Sequence, residues 1–153
     1  GYHGCDEAVA DDLLSGKEFR NSENRYDWLG SGIYFWEANP LRGLEFAREL
    51  SRRSAGQVKT PSVVGAVIEL GHCLDLLSSS GVEAVKIAHE SFVEICEAAD
   101  IQLPQNRLGD DLLLRDLDCA VINHLHEVRA SSDLPAFDTV RGVFMEGDRI
   151  YQN

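Results

Sequence analysis

Three short stretches of the chain hold residue types that can bind and activate a flat, charged ligand. The first is His3-Gly4, at the entrance to a helix. A glycine lets a ligand come close to the main chain, whose N–H and C=O can then bond a planar amide. Taken alone, a His-Gly pair is most often a turn. The second is Gly30-Ser31-Gly32-Ile33-Tyr34-Phe35-Trp36. Two glycines bring the backbone close to something, and an aromatic wall follows that suits stacking on a heterocycle. The same residues also fit core aromatics behind a flexible turn. The third is Asp138-Thr139-Val140-Arg141-Gly142-Val143-Phe144-Met145-Glu146-Gly147. Glu146 sits at a strand end beside a glycine, with Arg141 five residues before it. Such a carboxylate can stabilise a developing cation or orient a hydroxyl, or it can belong to a solvated hairpin.

The elements that must carry these residues are legible in outline. Asp6 to Leu14 reads as a short helix with Asp6 as N-cap and Gly16 after its end. Residues 17–30 are a polar loop, and Ser31 to Trp36 a turn feeding a short aromatic strand. A second helix is capped by Asn39 and opened by Pro40, with Leu41, Leu44, Phe46, Ala47 and Leu50 on its apolar side. Arg48, Arg52 and Arg53 load its C-terminal end, where cations suit the helix dipole. Val63 to Leu70 is nearly continuously apolar and predicts a strand buried on both faces.

Residues 82–99 and 110–129 predict two amphipathic helices, with Pro104 and Gly109 between them. Val82, Val85, Ile87, Phe92, Ile95 and Cys96 supply one apolar side; Leu113, Leu117, Ala120, Val121, Leu125 and Val128 supply the other. Two short β-like pieces, 143–145 and 149–151, flank Gly147. There is no internal repeat or low-complexity tract. The fold class expected is α+β, one domain over residues 1–153, with helices packed around a modest sheet.

The 153 residues carry 14 Lys and Arg against 26 Asp and Glu, a net charge of −12. A chain this acidic is not built to coat nucleic acid or an anionic membrane. No apolar run is long enough to span a bilayer, and the N-terminus lacks the basic-apolar-small pattern of a secretory signal, although the sequence begins at Gly1 rather than Met. The four cysteines, Cys5, Cys73, Cys96 and Cys119, are far apart, which predicts free thiols and a cytoplasmic location. No metal is expected: His124 and His126 are two apart and fall on different helix faces.

Taken together, the three stretches resemble the ADP-ribosyltransferase superfamily, in the His-Tyr-Glu branch that includes diphtheria toxin and the poly(ADP-ribose) polymerases. Gly30-Ser31-Gly32-Ile33-Tyr34-Phe35 looks like that family's glycine-x-glycine-isoleucine-tyrosine-phenylalanine signature, and Tyr2-His3-Gly4-Cys5 like its histidine-glycine motif. Order and spacing both fit. The likeness covers residues 2–77 well and the rest loosely. Tyr26-Asp27-Trp28-Leu29-Gly30 and Asp138-Thr139-Val140-Arg141-Gly142 give it the flavour of small bacterial, toxin-like members.

The resemblance implies a split antiparallel sheet with flanking helices, in which residues 82–129 form a two-helix insertion, either a lid or a partner-binding face. It implies NAD as the substrate. His3 would bond the adenosine-side ribose, the Gly4 backbone would hold the nicotinamide carboxamide, and Tyr34 would stack on the nicotinamide ring, with Gly32 and Phe35 completing the NAD-binding set. Glu146 would be the third catalytic residue, after His3 and Tyr34. Two readings stay open there: Glu146 fills that role in a shortened domain, or the role falls beyond Asn153 and Glu146 faces the acceptor. The activity implied is mono-ADP-ribosyl transfer, a pentosyl-group glycosyltransferase reaction, to a protein or nucleic-acid acceptor, by a bacterial toxin or an anti-phage defence effector. An antitoxin or regulatory protein is the implied partner, with no membrane. An NAD glycohydrolase and a catalytically inactive NAD- or partner-binding module are the rivals. The RNA 2′-phosphotransferase branch needs an arginine-rich site that the chain does not display.

Overall fold

The computed structural model describes residues 1–53, 58–107 and 114–144. The chain divides into two compact units, Gly1–Ser22 with Ile33–Glu69, and Glu23–Gly32 with Leu70–Asn153. The class is α+β, as expected: the described residues form four helices, one antiparallel strand pair and one parallel strand pair.

In the first unit, β1 (Tyr2–Asp6) pairs antiparallel with β2 (Pro61–Gly65), His3 opposite Val64 and Gly4 opposite Val63. Helix α1 (Glu7–Leu14) starts directly from β1 because Asp6 caps it, its side chain accepting from the Ala8 N–H at 3.1 Å. The same carboxylate accepts from the Lys59 and Thr60 amides at 2.6 and 2.9 Å, tying the start of α1 to the approach of β2. Those bonds hold the Asp6 carboxyl below the ordinary aspartate range, the Thr60 amide contributing most. Helix α2 (Pro40–Arg52) is opened by Pro40 and capped by Asn39, which accepts from the Arg42 N–H at 3.0 Å.

The two faces of the β1–β2 pair are covered differently. On one, Cys5, Ala10 and Val64 are buried with Leu13 and Phe19 against them. On the other, α2 packs through Gly43 and Ala47, both buried. A Cβ on Gly4 would run into the Gly43 carbonyl. Gly4 is therefore glycine because a helix backbone lies against it.

The apolar stretch 63–70 is only partly strand. β2 ends at Gly65, Val67 is 105% exposed and Leu70 44% exposed, so burial on both faces is not what the chain does. The last bond of the pair joins the Ala66 N–H to the Gly1 carbonyl at 2.9 Å, and among the described residues no strand pairs with 67–70. Residues 33–36 likewise form no extended strand. They contribute one antiparallel bridge, Trp36 to Tyr2.

In the second unit, β3 (Cys73–Asp75) and β4 (Thr139–Arg141) pair in parallel, Leu74 opposite Val140. This pair differs from the antiparallel arrangement expected. Parallel strands need a crossover, and here it holds α3 (Ser79–Ala98) and α4 (Asp116–Ser131). Leu74, Ala88, Val121, Ile122 and Leu125 form the buried core, with Val85, Phe92, Leu117 and Phe137 packed on it. Each Leu, Ile, Val or Phe here stabilises the fold by about 1.5–3 kcal/mol when fully buried. Both helices were anticipated, but the buried side of α3 is Gly81, Ala88 and Cys96, while Val82, Ile87 and Ile95 are half exposed or more. At Gly81 the reason is close approach: a Cβ there would strike the Asp75 carbonyl. The expected start of the second helix, 110–113, and the second β-like piece, 149–151, lie outside the described residues.

The N-terminus of α4 is capped from a distance. Arg115 makes no side-chain cap, but Asn106 Oδ1 accepts from the Leu117 and Asp118 amides at 3.0 and 3.3 Å. Its Nδ2 donates to Asp118 at 2.7 Å. Asp116, buried at the helix start, takes Arg25 at 3.1 Å and Arg107 at 3.2 Å. Among the described residues, no helix is long and apolar enough to cross a membrane.

Candidate functional site

The His3 side chain leaves β1 on the face shared with Cys5. Its Nδ1 lies 2.9 Å from the Tyr34 carbonyl oxygen. A carbonyl only accepts, so Nδ1 carries the proton, and in the neutral ring Nε2 is left as an acceptor. Phe19 meets the His3 ring edge-on, centroids 5.4 Å apart, and Phe35 lies 5.7 Å away. Phe19 and Phe35 touch each other at 5.2 Å. The imidazole is thus fixed by one hydrogen bond and two aromatic neighbours.

Strand alternation places the Gly4 backbone. Gly1 exchanges bonds with Ala66, and the Glu7 amide donates to Thr60 at 2.8 Å, so the odd-numbered residues of β1 face β2. Even-numbered ones face the opposite edge, where Tyr2 and Trp36 exchange bonds of 3.0 and 2.8 Å. The Gly4 N–H and C=O lie on that edge, next to His3. Among the described residues no backbone bond meets them there.

Of the residues singled out from the sequence, His3, Gly4, Tyr34 and Phe35 fall in the first unit, and His3 touches both Tyr34 and Phe35. Gly32 belongs to the second unit, and a Cβ there would meet nothing within 4 Å. Glu146 lies outside the described residues. The glycine that makes a close approach in the second motif is Gly30: its φ is +82°, and a Cβ would come within 2.7 Å of Asn123 Oδ1 and 2.8 Å of Ile122. What it approaches is helix α4.

Two residues escaped the sequence reading. Phe19 stands in a polar loop, and a lone aromatic among charged neighbours is the only mark it bears. Asn123 sits mid-helix and bonds Ser31, with no sequence signal at all. The lead-in Trp28 packs against Phe144 at 5.0 Å and covers Gly142. In the third stretch, Asp138 accepts from the His72 amide at 2.7 Å, and Arg141 pairs with Asp75 at 3.4 Å.

All four cysteines are unpaired. Burial pushes the Cys5 thiol up, with Asp6 adding to it, and burial and Asp27 do the same for Cys119. Among the described residues no cluster of His, Cys, Asp and Glu could hold a metal ion.

The described residues form at least two surface depressions. One, of about 370 Å³, lies along α2 between Glu45, Arg48, Glu49 and Arg52. Its acids interleave with the arginines and offset their charge. The other, of about 220 Å³, lies beside β3 between Cys73, Asp75, Ser80 and Phe137. Neither includes His3, Gly4 or Tyr34. Compared with known protein families, with curated proteins and with solved structures, the chain matches none.

Proposed function

We propose that the protein is an NAD-dependent mono-ADP-ribosyltransferase acting on a macromolecular acceptor, as a toxin or anti-phage defence effector does. One observation carries the reading: on a single strand, a histidine ring locked with Nε2 as acceptor stands beside a glycine whose N–H and C=O point off the strand edge. A carboxamide needs one donor and one acceptor a peptide's width apart, and a ribose needs an acceptor for its hydroxyl. Gly4 and His3 supply those groups in that order.

The chemistry follows from the roles. Tyr34 offers a ring face to the nicotinamide. The bond between the ribose C1′ and the nicotinamide nitrogen breaks, and its electron pair leaves with nicotinamide. The acceptor's lone pair then closes on C1′ and the acceptor loses its proton. Glu146 would stabilise the oxocarbenium-like ribose between these events, an interaction stronger in the transition state than in the ground state. In this reading the β1–β2 pair is half of a split sheet, and α3 with α4 is the two-helix insertion.

The test is NAD labelled on the adenylate, incubated with the protein and a cell lysate, followed by protease or nuclease digestion. Label that follows one macromolecule supports transfer and names the acceptor. Free ADP-ribose alone would make the protein a glycohydrolase. Intact NAD would leave only a binding module.

A further inference from the structure

The geometry points to Phe19 as a positioning residue for His3: it sets the plane of the imidazole and so aims Nε2. One hydrogen bond is not enough to do that. Nδ1 bonds the Tyr34 carbonyl at 2.9 Å. Such a bond tolerates tens of degrees of tilt before it weakens, and the last torsion of a histidine is soft. Any tilt turns the direction of the Nε2 lone pair. Phe19 stands perpendicular to the imidazole, at 88° with centroids 5.4 Å apart, and Phe35 lies 5.7 Å away at 55°. The two phenyl rings meet at 5.2 Å, so the three rings close a triangle. Phe35 follows directly on Tyr34, whereas Phe19 reaches the imidazole from residues 17–21, which form neither helix nor strand. From Leu14 to Arg20 every residue but Phe19 is exposed. Its side chain packs on the buried cluster of Cys5, Ala10 and Val64, on the side of β1 that carries His3. All of these residues belong to the first unit.

The inference rests on the transferase reading, in which Nε2 accepts from a hydroxyl of the adenosine-side ribose. An acceptor contributes to binding only near its lone-pair direction, and ordering a loose ring on binding costs affinity. That ribose is remote from the bond that breaks, so the contact is made equally in the ground and transition states. Its loss should raise KM and leave kcat alone. A substitution that merely unfolds part of the protein does the opposite: fewer active molecules lower the apparent kcat at unchanged KM. Phe19 acts through His3.

The experiment compares the unaltered protein with Phe19→Leu and Phe19→Tyr. Leu keeps an apolar anchor for residues 17–21 but has no flat ring; Tyr keeps the ring. Two readouts are taken. The nitrogen NMR signals of the His3 imidazole, assigned against His3→Ala at about pH 8.5, where imidazole is neutral, report its tautomer and need no ligand. Steady-state NAD consumption gives KM and kcat. The unaltered protein should show one tautomer, protonated on Nδ1. Leu should blend the signals towards the mixture of a free imidazole. It should also raise KM for NAD about tenfold, the scale of one hydrogen bond, with kcat nearly unchanged. Tyr should restore both. A tautomer mixture already present in the unaltered protein, or signals unchanged in Phe19→Leu, would overturn the brace. Altered signals at unchanged KM would overturn its consequence for the site. A fall in apparent kcat at unchanged KM, or loss of folded protein in Phe19→Leu, would show a structural residue, not a positioning one. If the unaltered protein neither binds nor consumes NAD, the transferase reading falls, and this inference with it. That failure is visible before any variant is made.

Discussion

The imidazole of His3 is tied to the main chain of Tyr34, Nδ1 donating to its carbonyl oxygen at 2.9 Å. The link joins two motifs that are 31 residues apart and makes the histidine's free nitrogen an acceptor. His3→Ala removes that acceptor and the anchor for the Tyr34 segment. NAD binding should weaken by about 1–3 kcal/mol, the range for losing a buried hydrogen-bond partner. Titration calorimetry reads this directly. Unchanged affinity would reduce His3 to a residue that braces the fold.

Because the bond uses the Tyr34 backbone, it survives any substitution of the side chain. Tyr34→Phe keeps both the bond and the ring face and should retain most NAD turnover. Tyr34→Ala keeps the bond but loses the platform and should lose most turnover. Equal loss in both variants would point to the hydroxyl instead. No loss in either would remove Tyr34 from the site.

Gly4 serves two masters, and one substitution separates them. Its Cα face meets the Gly43 carbonyl of α2, while its N–H and C=O point off the strand edge. Gly4→Ala should push α2 away and cost about 1–3 kcal/mol, the usual scale for overpacking. A thermal melt without ligand should show the loss. If the melting temperature holds and only NAD binding falls, the close approach of α2 is not what requires glycine.

The helices were largely legible, and the reason is local. Asp6, Asn39 and Pro40 act on backbone groups within a few residues of themselves, so their sequence positions define the ends of α1 and α2. Val63 to Leu70 misled because an apolar run states a preference for burial but does not say which of its residues find a partner; β1 pairs with only its first part. The small-residue side of α3 was missed for a related reason: Gly81 is set by how near the Asp75 carbonyl lies, not by hydrophobicity. At the site, His3, Gly4 and Tyr34 were readable as types. The bond from His3 to a carbonyl was not, since every residue has a carbonyl. The bond of Asn123 to Ser31 spans 92 residues and leaves no local pattern.

Asp6 gives the fold a dependence on pH with a definite sign. Its folded-state pKa is depressed by the Thr60, Lys59 and Ala8 amides. A depressed carboxylate contributes stability above its unfolded value, about 3.9 for aspartate, and loses it as pH falls through the lower folded value. The urea midpoint should therefore drop as pH is lowered from about 5 towards 2. Asp6→Asn, which can still cap α1 but carries no charge, should flatten part of that slope. An unaltered slope would show that other carboxylates dominate acid unfolding.

Glu146 carries the last prediction. If it is the catalytic carboxylate, it stabilises the oxocarbenium-like ribose and orients a ribose hydroxyl, and both interactions grow on the way to the transition state. Glu146→Gln should then leave NAD affinity nearly intact and cut turnover by about 10²–10³-fold, the scale for removing one well-placed electrostatic group. Glutamine keeps the shape and a hydrogen-bonding oxygen, so the loss would report the charge. If Glu146 faces the acceptor instead, the pattern inverts: hydrolysis of NAD by water persists while labelling of the acceptor falls. Measuring both rates on the same variant decides between the two. A variant that keeps both would take Glu146 out of the chemistry and move the search for the third residue elsewhere in the chain.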